Sequence, residues 1–157
     1  MRKFEEVEEK YKHFPDVPTI LPRRGTAGSA GYDLFSKEDH VLQPGAFYVF
    51  WTDVKMNVFF DNVGLVVPRS GLGAKHGIVL RNGVGVIDFD YSSESNTQTG
   101  GNIGVCLVNN SSEVYPIHAG DRIAQIILTR FYITDDDEHC TTDLRKGRTG
   151  GFGSTTK

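Results

Sequence analysis

Asp88 and Asp90 leave an apolar stretch, Gly85-Val86-Ile87, directly ahead of Tyr91. A carboxylate at that exit could activate a water as a general base. The plain alternative is two solvated turn acids. Regular strand alternation would put both on one face. Upstream, Pro68-Arg69-Ser70-Gly71-Leu72-Gly73 reads as a strand end giving way to a short helix. Glycines alone there mean an ordinary turn. Arg69 and Ser70 beside them shift the balance toward an anion site, because exposed N–H groups at a helix start plus a guanidinium can hold phosphate. The run lacks the spacing of a Walker A loop. Asp33, in Ala30-Gly31-Tyr32-Asp33-Leu34, is more often a turn former than a ligand when taken by itself. The end of the chain passes from acidic (Asp135 to Asp143) to basic (Arg145, Lys146, Arg148), then to Gly150-Gly151-Phe152-Gly153-Ser154-Thr155. Such a segment cannot build a core and reads as a disordered tail. The sharper alternative is a flap whose amides and Arg grip an anion while Phe152 stacks on a flat ring.

These residues need a framework of short strands. Phe47-Trp51, Val54-Phe60, Val63-Val67, Ile78-Leu80, Gly85-Ile87, Ile103-Val108 and Ile123-Leu128 are β-branched or aromatic and are separated by turn residues. Asn82-Gly83 signals a hairpin. Only Ser70 to His76 reads as helical inside the domain. Phe4, Val7, Tyr11 and Phe14 fit a short N-terminal helix face. Pro15, Pro18 and Pro22 force an extended passage, and Ser92 to Asn102 is polar and reads as an exposed loop. The expected domain is 1–144, with an arm over 145–157.

Composition supports an all-β class. Val and Ile number 24 against 15 for Leu and Ala, and 18 of the 157 residues are Gly. Helix bundles, coiled coils and doubly wound α/β folds are disfavoured. A net charge of −3 argues against a general nucleic-acid binder. No apolar run has membrane-span length, and the charged N-terminus lacks a signal core, so a soluble cytoplasmic protein is expected. Five His and two Cys show no zinc spacing. Cys106 reads as a small buried hydrophobe. The sequons at Asn109-Asn110-Ser111-Ser112 carry no meaning without a secretory signal.

Taken together, five motifs in order resemble those of the homotrimeric dUTP diphosphatases (dUTPases). They are residues 30–34, 68–73, 85–91, Gly120-Asp121-Arg122-Ile123-Ala124-Gln125, and 150–155. The resemblance implies a distorted jelly-roll, β-clip-like barrel with one short helix, three active sites at the interfaces of a homotrimer, and Mg²⁺-dependent hydrolysis of dUTP to dUMP and pyrophosphate. By position, Asp88 matches the residue that deprotonates the attacking water. Asn82 and the backbone of Gly85, Val86 and Ile87 match the uracil reader. Tyr91 matches the ring under the deoxyribose. Arg69, Ser70, Gly71 and Gln125 match phosphate contacts. Asp33 matches a carboxylate that meets the metal through water only. In the arm, Phe152 matches the lid over uracil, Gly153 its neighbour and Ser154 a phosphate contact, and Arg148, with Arg145 as the alternative, is the γ-phosphate candidate. In the family this arm closes on a neighbouring subunit. The physics agrees, because a triphosphate needs its charge neutralised while the nucleophile is aligned.

Two departures stand out. The family's Arg-Gly after the motif-three Tyr is replaced by Ser92-Ser93 and an insertion to about Asn102, a candidate partner surface. The segment before Gly150 is also atypical. The nearest rival is a dCTP deaminase of the same fold, but it needs a Glu beside the pyrimidine and a Ser-Arg-Ser-Ser run. A trimeric regulatory protein that lost the chemistry is opposed by the joint presence of Asp88, Tyr91 and Phe152.

Overall fold

The computed structural model describes residues 1–137 and Gly151. Twelve strands occur in chain order: β1 Lys3–Glu6, β2 Arg23–Arg24, β3 Tyr32–Phe35, β4 His40–Leu42, β5 Phe47–Trp51, β6 Val54–Asn57, β7 Asn62–Val67, β8 Ile78–Leu80, β9 Gly85–Ile87, β10 Gly104–Asn109, β11 Tyr115–Ile117 and β12 Arg122–Arg130. One α-helix, α1 Ser70–His76, interrupts them between β7 and β8. Every ladder is antiparallel. The largest sheet has the order β2-β3-β12-β7-β9 and a second has β5-β10-β8, with two-stranded ribbons β1-β6 and β11-β4.

The core lies between these sheets. Leu34, Phe50, Met56, Ile103 and Ile126 are fully buried at its centre. Alternation is clean in β10, where Val105, Leu107 and Asn109 point inward. In β12 the register slips between Arg122 and Ala124, so consecutive residues Ile123 and Ala124 are both buried. Such a bulge re-aims the side chains on either side of it.

Three sequence expectations change here. Residues 3–6 form β1, not a helix, and only Glu9–Tyr11 makes a 3₁₀ turn. A helix that short is not self-supporting, whereas Phe4 opposite Met56 gains a strand partner and the ring of Tyr32, 5.3 Å away. Asn82-Gly83 is a turn, with Gly83 at φ 73°, but its flanking strands do not pair with each other: β8 pairs with β10 and β9 with β7. The 92–102 segment is not simply exposed. Asn96, Gly101 and Asn102 are buried, while Glu94, Thr97 and Gln98 remain outside. The Asn109 sequon is also closed to solvent, since its amide donates to the carbonyls of Leu42 and Glu113.

Candidate functional site

The turn at Asn82 carries the chain from one sheet to another. Because β8 ends the three-stranded sheet and β9 ends the five-stranded one, each has an edge without a strand partner among the described residues. Unpaired edge amides and carbonyls seek hydrogen bonds. A cavity of about 170 Å³ opens where the two strands part. Leu80, Gly104 and Cys106 line it from one sheet, and Val66, Gly85, Val86 and Ile87 from the other. Asn82, Tyr91 and Gly151 complete the lining. A β-carbon on Gly85 would sit 3.1 Å from Val66 Cβ, so glycine keeps the wall thin there. The shape suits a flat ring inserted between two open backbone edges.

Tyr91 is 4% exposed, and its hydroxyl donates to the carbonyl of Asn102 at 2.7 Å. Gly151, from the last motif, packs against it within its own chain: a β-carbon there would lie 2.9 Å from Tyr91 Cε2. Phe152, Gly153, Ser154, Arg145 and Arg148 lie outside the described residues. Cys106 is half-buried in the cavity wall, not fully buried as expected. Burial pushes its thiol up, against a weaker downward pull from Arg81, so it remains a neutral thiol.

Asp88 follows β9 directly and is half-buried. The strand stops at Ile87, and Phe89–Ser92 turn into a 3₁₀ segment. Strand alternation therefore does not extend to Asp90, and the expected shared face is lost.

A second group gathers at the other end of β7. Asp33, 9% exposed, has Oδ1 3.0 Å from Arg69 Nε and Oδ2 3.6 Å from Arg122 Nη1. Arg23 stands opposite Asp33 across the β2–β3 ladder. One carboxylate paired with two guanidiniums, with Arg23 over the nearby Phe35 ring, leaves a local positive excess suited to phosphate. Arg69 is also the residue before α1, and no side chain caps that helix. Ser70 and Gly71 thus offer first-turn amides. Gln125 donates to the carbonyl of Pro68 at 3.2 Å, beside the same cluster. The motif reading assigned Gln125 but passed over Arg122, three residues before it. Its signal was present in Gly120-Asp121-Arg122, but its partner Asp33 lies far away in sequence.

Comparison with known proteins bears on this geometry directly. A family model described as dUTPase matches residues 18–156. The mouse deoxyuridine 5'-triphosphate nucleotidohydrolase is 43% identical over 136 residues, which cover 87% of this chain and 78% of the mouse protein. The chain belongs to the dUTPase family. With membership comes the family's activity, hydrolysis of dUTP to dUMP. Among solved structures, the dUTPase from Streptococcus mutans superposes with a TM-score of 0.73 at 34% identity, covering 85% of this chain and 99% of that one. A point mutant of the dUTPase from phage phi11 of S. aureus, described as coordinating a structural Mg(II) ion, gives a TM-score of 0.67 at 25% identity, covering 86% and 94%. The expected mostly-β, jelly-roll-like fold with one short helix is thereby established. No helix among the described residues is long and apolar enough to cross a membrane.

For this dUTPase the fit of Gly31 against Gln125 has a measurable consequence. A β-carbon at Gly31 would run into the Gln125 amide. The obstacle is the far end of a flexible side chain, so Gly31→Ala should cost under about 1 kcal/mol of stability. Gln125 must nevertheless leave its place. We expect kcat/KM for dUTP to fall about tenfold, a loss of alignment rather than of fold. Steady-state kinetics and a urea midpoint on the same preparation check both halves.

Proposed function

We propose that this dUTPase cleaves dUTP by in-line attack of a water, activated by Asp88, on the α-phosphorus. The water oxygen bonds to that phosphorus, the bond to the oxygen bridging toward the β-phosphate breaks, pyrophosphate leaves, and the water's proton passes to the Asp88 carboxylate. The observation that carries the reading is the cavity between the open edges of β8 and β9, with Tyr91 in its lining. There the backbone of Gly85, Val86 and Ile87, with Asn82, reads the uracil edge, and Tyr91 supports the deoxyribose. Arg69, Ser70, Gly71 and Gln125 hold the phosphates, and Arg148, Phe152, Gly153 and Ser154 of the 145–157 arm close over the nucleotide. The cellular role is removal of dUTP from the nucleotide pool and supply of dUMP.

Mg²⁺ suits this donor set as a substrate-borne ion. Asp33 faces guanidiniums with both oxygens, so it would hold an ion through water rather than by direct ligation. Magnesium keeps its waters readily and prefers phosphate oxygens. Bound on the triphosphate, it supplies charge neutralisation.

The register supports a site shared between subunits of a homotrimer. Gly64 pairs with Ile87. Arg69 lies five residues beyond Gly64 and Asp88 one residue beyond Ile87, in opposite directions, so the two are about 20 Å apart along the sheet at about 3.3 Å per residue. One triphosphate cannot touch both within a single chain. A neighbouring copy that brings its Arg69 cluster to this chain's Asp88 resolves the separation.

Pyrophosphate release from dUTP, dTTP, UTP and dCTP, with and without Mg²⁺, tests the reading. Rapid release from dUTP alone, dependent on Mg²⁺, is the expected result. Ammonia release from dCTP would replace it with a deaminase.

A further inference from the structure

The 92–102 segment closes around one side chain. Tyr91 immediately precedes it, and the carbonyl and the hydroxyl of Tyr91 are both held by it. Asn96 Nδ2 donates to the Tyr91 carbonyl at 2.7 Å. The Tyr91 hydroxyl donates to the Asn102 carbonyl, also at 2.7 Å. The segment then returns to its own start: a β-carbon on Gly101 would lie 2.9 Å from Ser92 Cα, and Ser92 Oγ donates to the Met56 carbonyl at 2.5 Å.

Each contact is itself braced. Asn96, 1% exposed, also donates to Thr99 Oγ1 at 2.8 Å and accepts from the Thr99 amide at 3.2 Å. Asn102 is fully buried. Its Oδ1 accepts from the Asp53 amide, and its Nδ2 donates to Asp53 Oδ1 at 2.9 Å and to the Tyr11 carbonyl at 3.0 Å. Asp53 is anchored by Lys37 at 2.7 Å. Gly100, at φ 58°, lies so close to Tyr11 that a β-carbon would enter that ring. The chain of contacts therefore runs from the N-terminal passage through Asp53 and Asn102 to the phenol in the cavity.

We propose that this segment is a clamp on Tyr91, and that Asn96 and Asn102 are positioning residues that set discrimination between deoxyribose and ribose. The inference rests on the reading of Tyr91 as the surface beneath the sugar. A pocket rejects an added hydroxyl poorly when its wall can move aside. Close packing makes clearances of a few tenths of an ångström decisive only if the wall is fixed. Fixing a tyrosine at both its backbone and its hydroxyl supplies that rigidity. The insertion that replaces a shorter family turn thus acts inward, on selectivity.

The test compares kcat/KM for dUTP and UTP, by pyrophosphate release with the full chain, in the wild type, Asn96→Ala and Thr99→Val. Thr99→Val is isosteric and removes only the hydroxyl that braces Asn96 and the Gly101 amide. Loss of the clamp should lower the dUTP/UTP ratio about tenfold in Asn96→Ala and by a smaller factor in the same direction in Thr99→Val. If both substrates lose rate together and the ratio stays within about twofold in either folded variant, the segment is only structural and the proposal is overturned. Should Asn96→Ala not fold, Thr99→Val decides by the same criterion. A wild-type chain with no preference for dUTP over UTP would defeat the reading of Tyr91 itself. A preference that survives both substitutions defeats only the clamp.

Discussion

Asp88→Asn is expected to leave a folded protein that binds dUTP within a few-fold of wild type and hydrolyses it about 10²- to 10⁴-fold more slowly, the range associated with losing a positioned general base. Asparagine preserves size and most hydrogen-bonding capacity at the end of β9. It cannot take a proton from water. Isothermal titration with dUTP separates binding from the single-turnover rate. Loss of binding in step with rate would instead make Asp88 a substrate ligand, and an unchanged rate would remove it from the chemistry. The same variant tests the shared site. Asp88 and Arg69 are about 20 Å apart along the sheet at about 3.3 Å per residue, so the proposed shared site draws them from different chains. Asp88→Asn and Arg69→Ala chains, each nearly inactive alone, should regain about a quarter of wild-type activity when refolded together in equal amounts, because one interface of every mixed ring of three restores both groups. A mixture that stays inactive would place the whole site in one chain.

The largest stability effect is expected at Lys37. Its ammonium lies 2.7 Å from Asp53 Oδ2, with both side chains almost wholly buried. Lys37→Ala leaves a buried carboxylate without its cation and should cost about 3–5 kcal/mol. The cost appears as a lower urea midpoint, measured at constant m. Asp53 also joins distant pieces of chain: it accepts from the amides of His13 and Phe14 and from Asn102. It does so at φ 56°, a conformation rare for a residue with a side chain. Burial pushes its carboxyl up, but the bonds from Lys37, the His13 amide, Asn102 and the Phe14 amide outweigh this and hold it below the usual value. The sign follows from linkage. A carboxyl depressed in the folded state contributes stability above its unfolded value, and that contribution is lost as pH falls through the folded one. Without Lys37 one depressing partner is gone, so acid unfolding should begin at a higher pH than in the wild type. An acid transition that does not move would show that the backbone amides and Asn102 set the Asp53 carboxyl without Lys37.

The sequence by itself determined the family and the sheet class, and it named the residues proposed for the site. Motif residues such as Asp88, Tyr91, Arg69 and Gln125 are local signals, and the strand-forming runs from Phe47 to Leu128 repeat their pattern over a few residues each. Local pattern also placed α1 correctly, between the strand ending at Val67 and the Gly77 cap at φ 67°. The tertiary structure alone decided where those residues stand. Asn82-Gly83 has the turn signal of a hairpin, yet its two strands join different sheets, because each finds its partner elsewhere in the chain. That divergence creates the cavity, and no window of sequence contains it. Residues 3–6 became a strand because Met56 and Tyr32 await them. The polar 92–102 run turned inward because Tyr91, Asp53 and Tyr11 supply hydrogen-bond partners that composition cannot reveal. Arg122 met Asp33 only across the β3–β12 ladder. Local propensity is written residue by residue, whereas pairing, burial and charge contact depend on which distant segments meet.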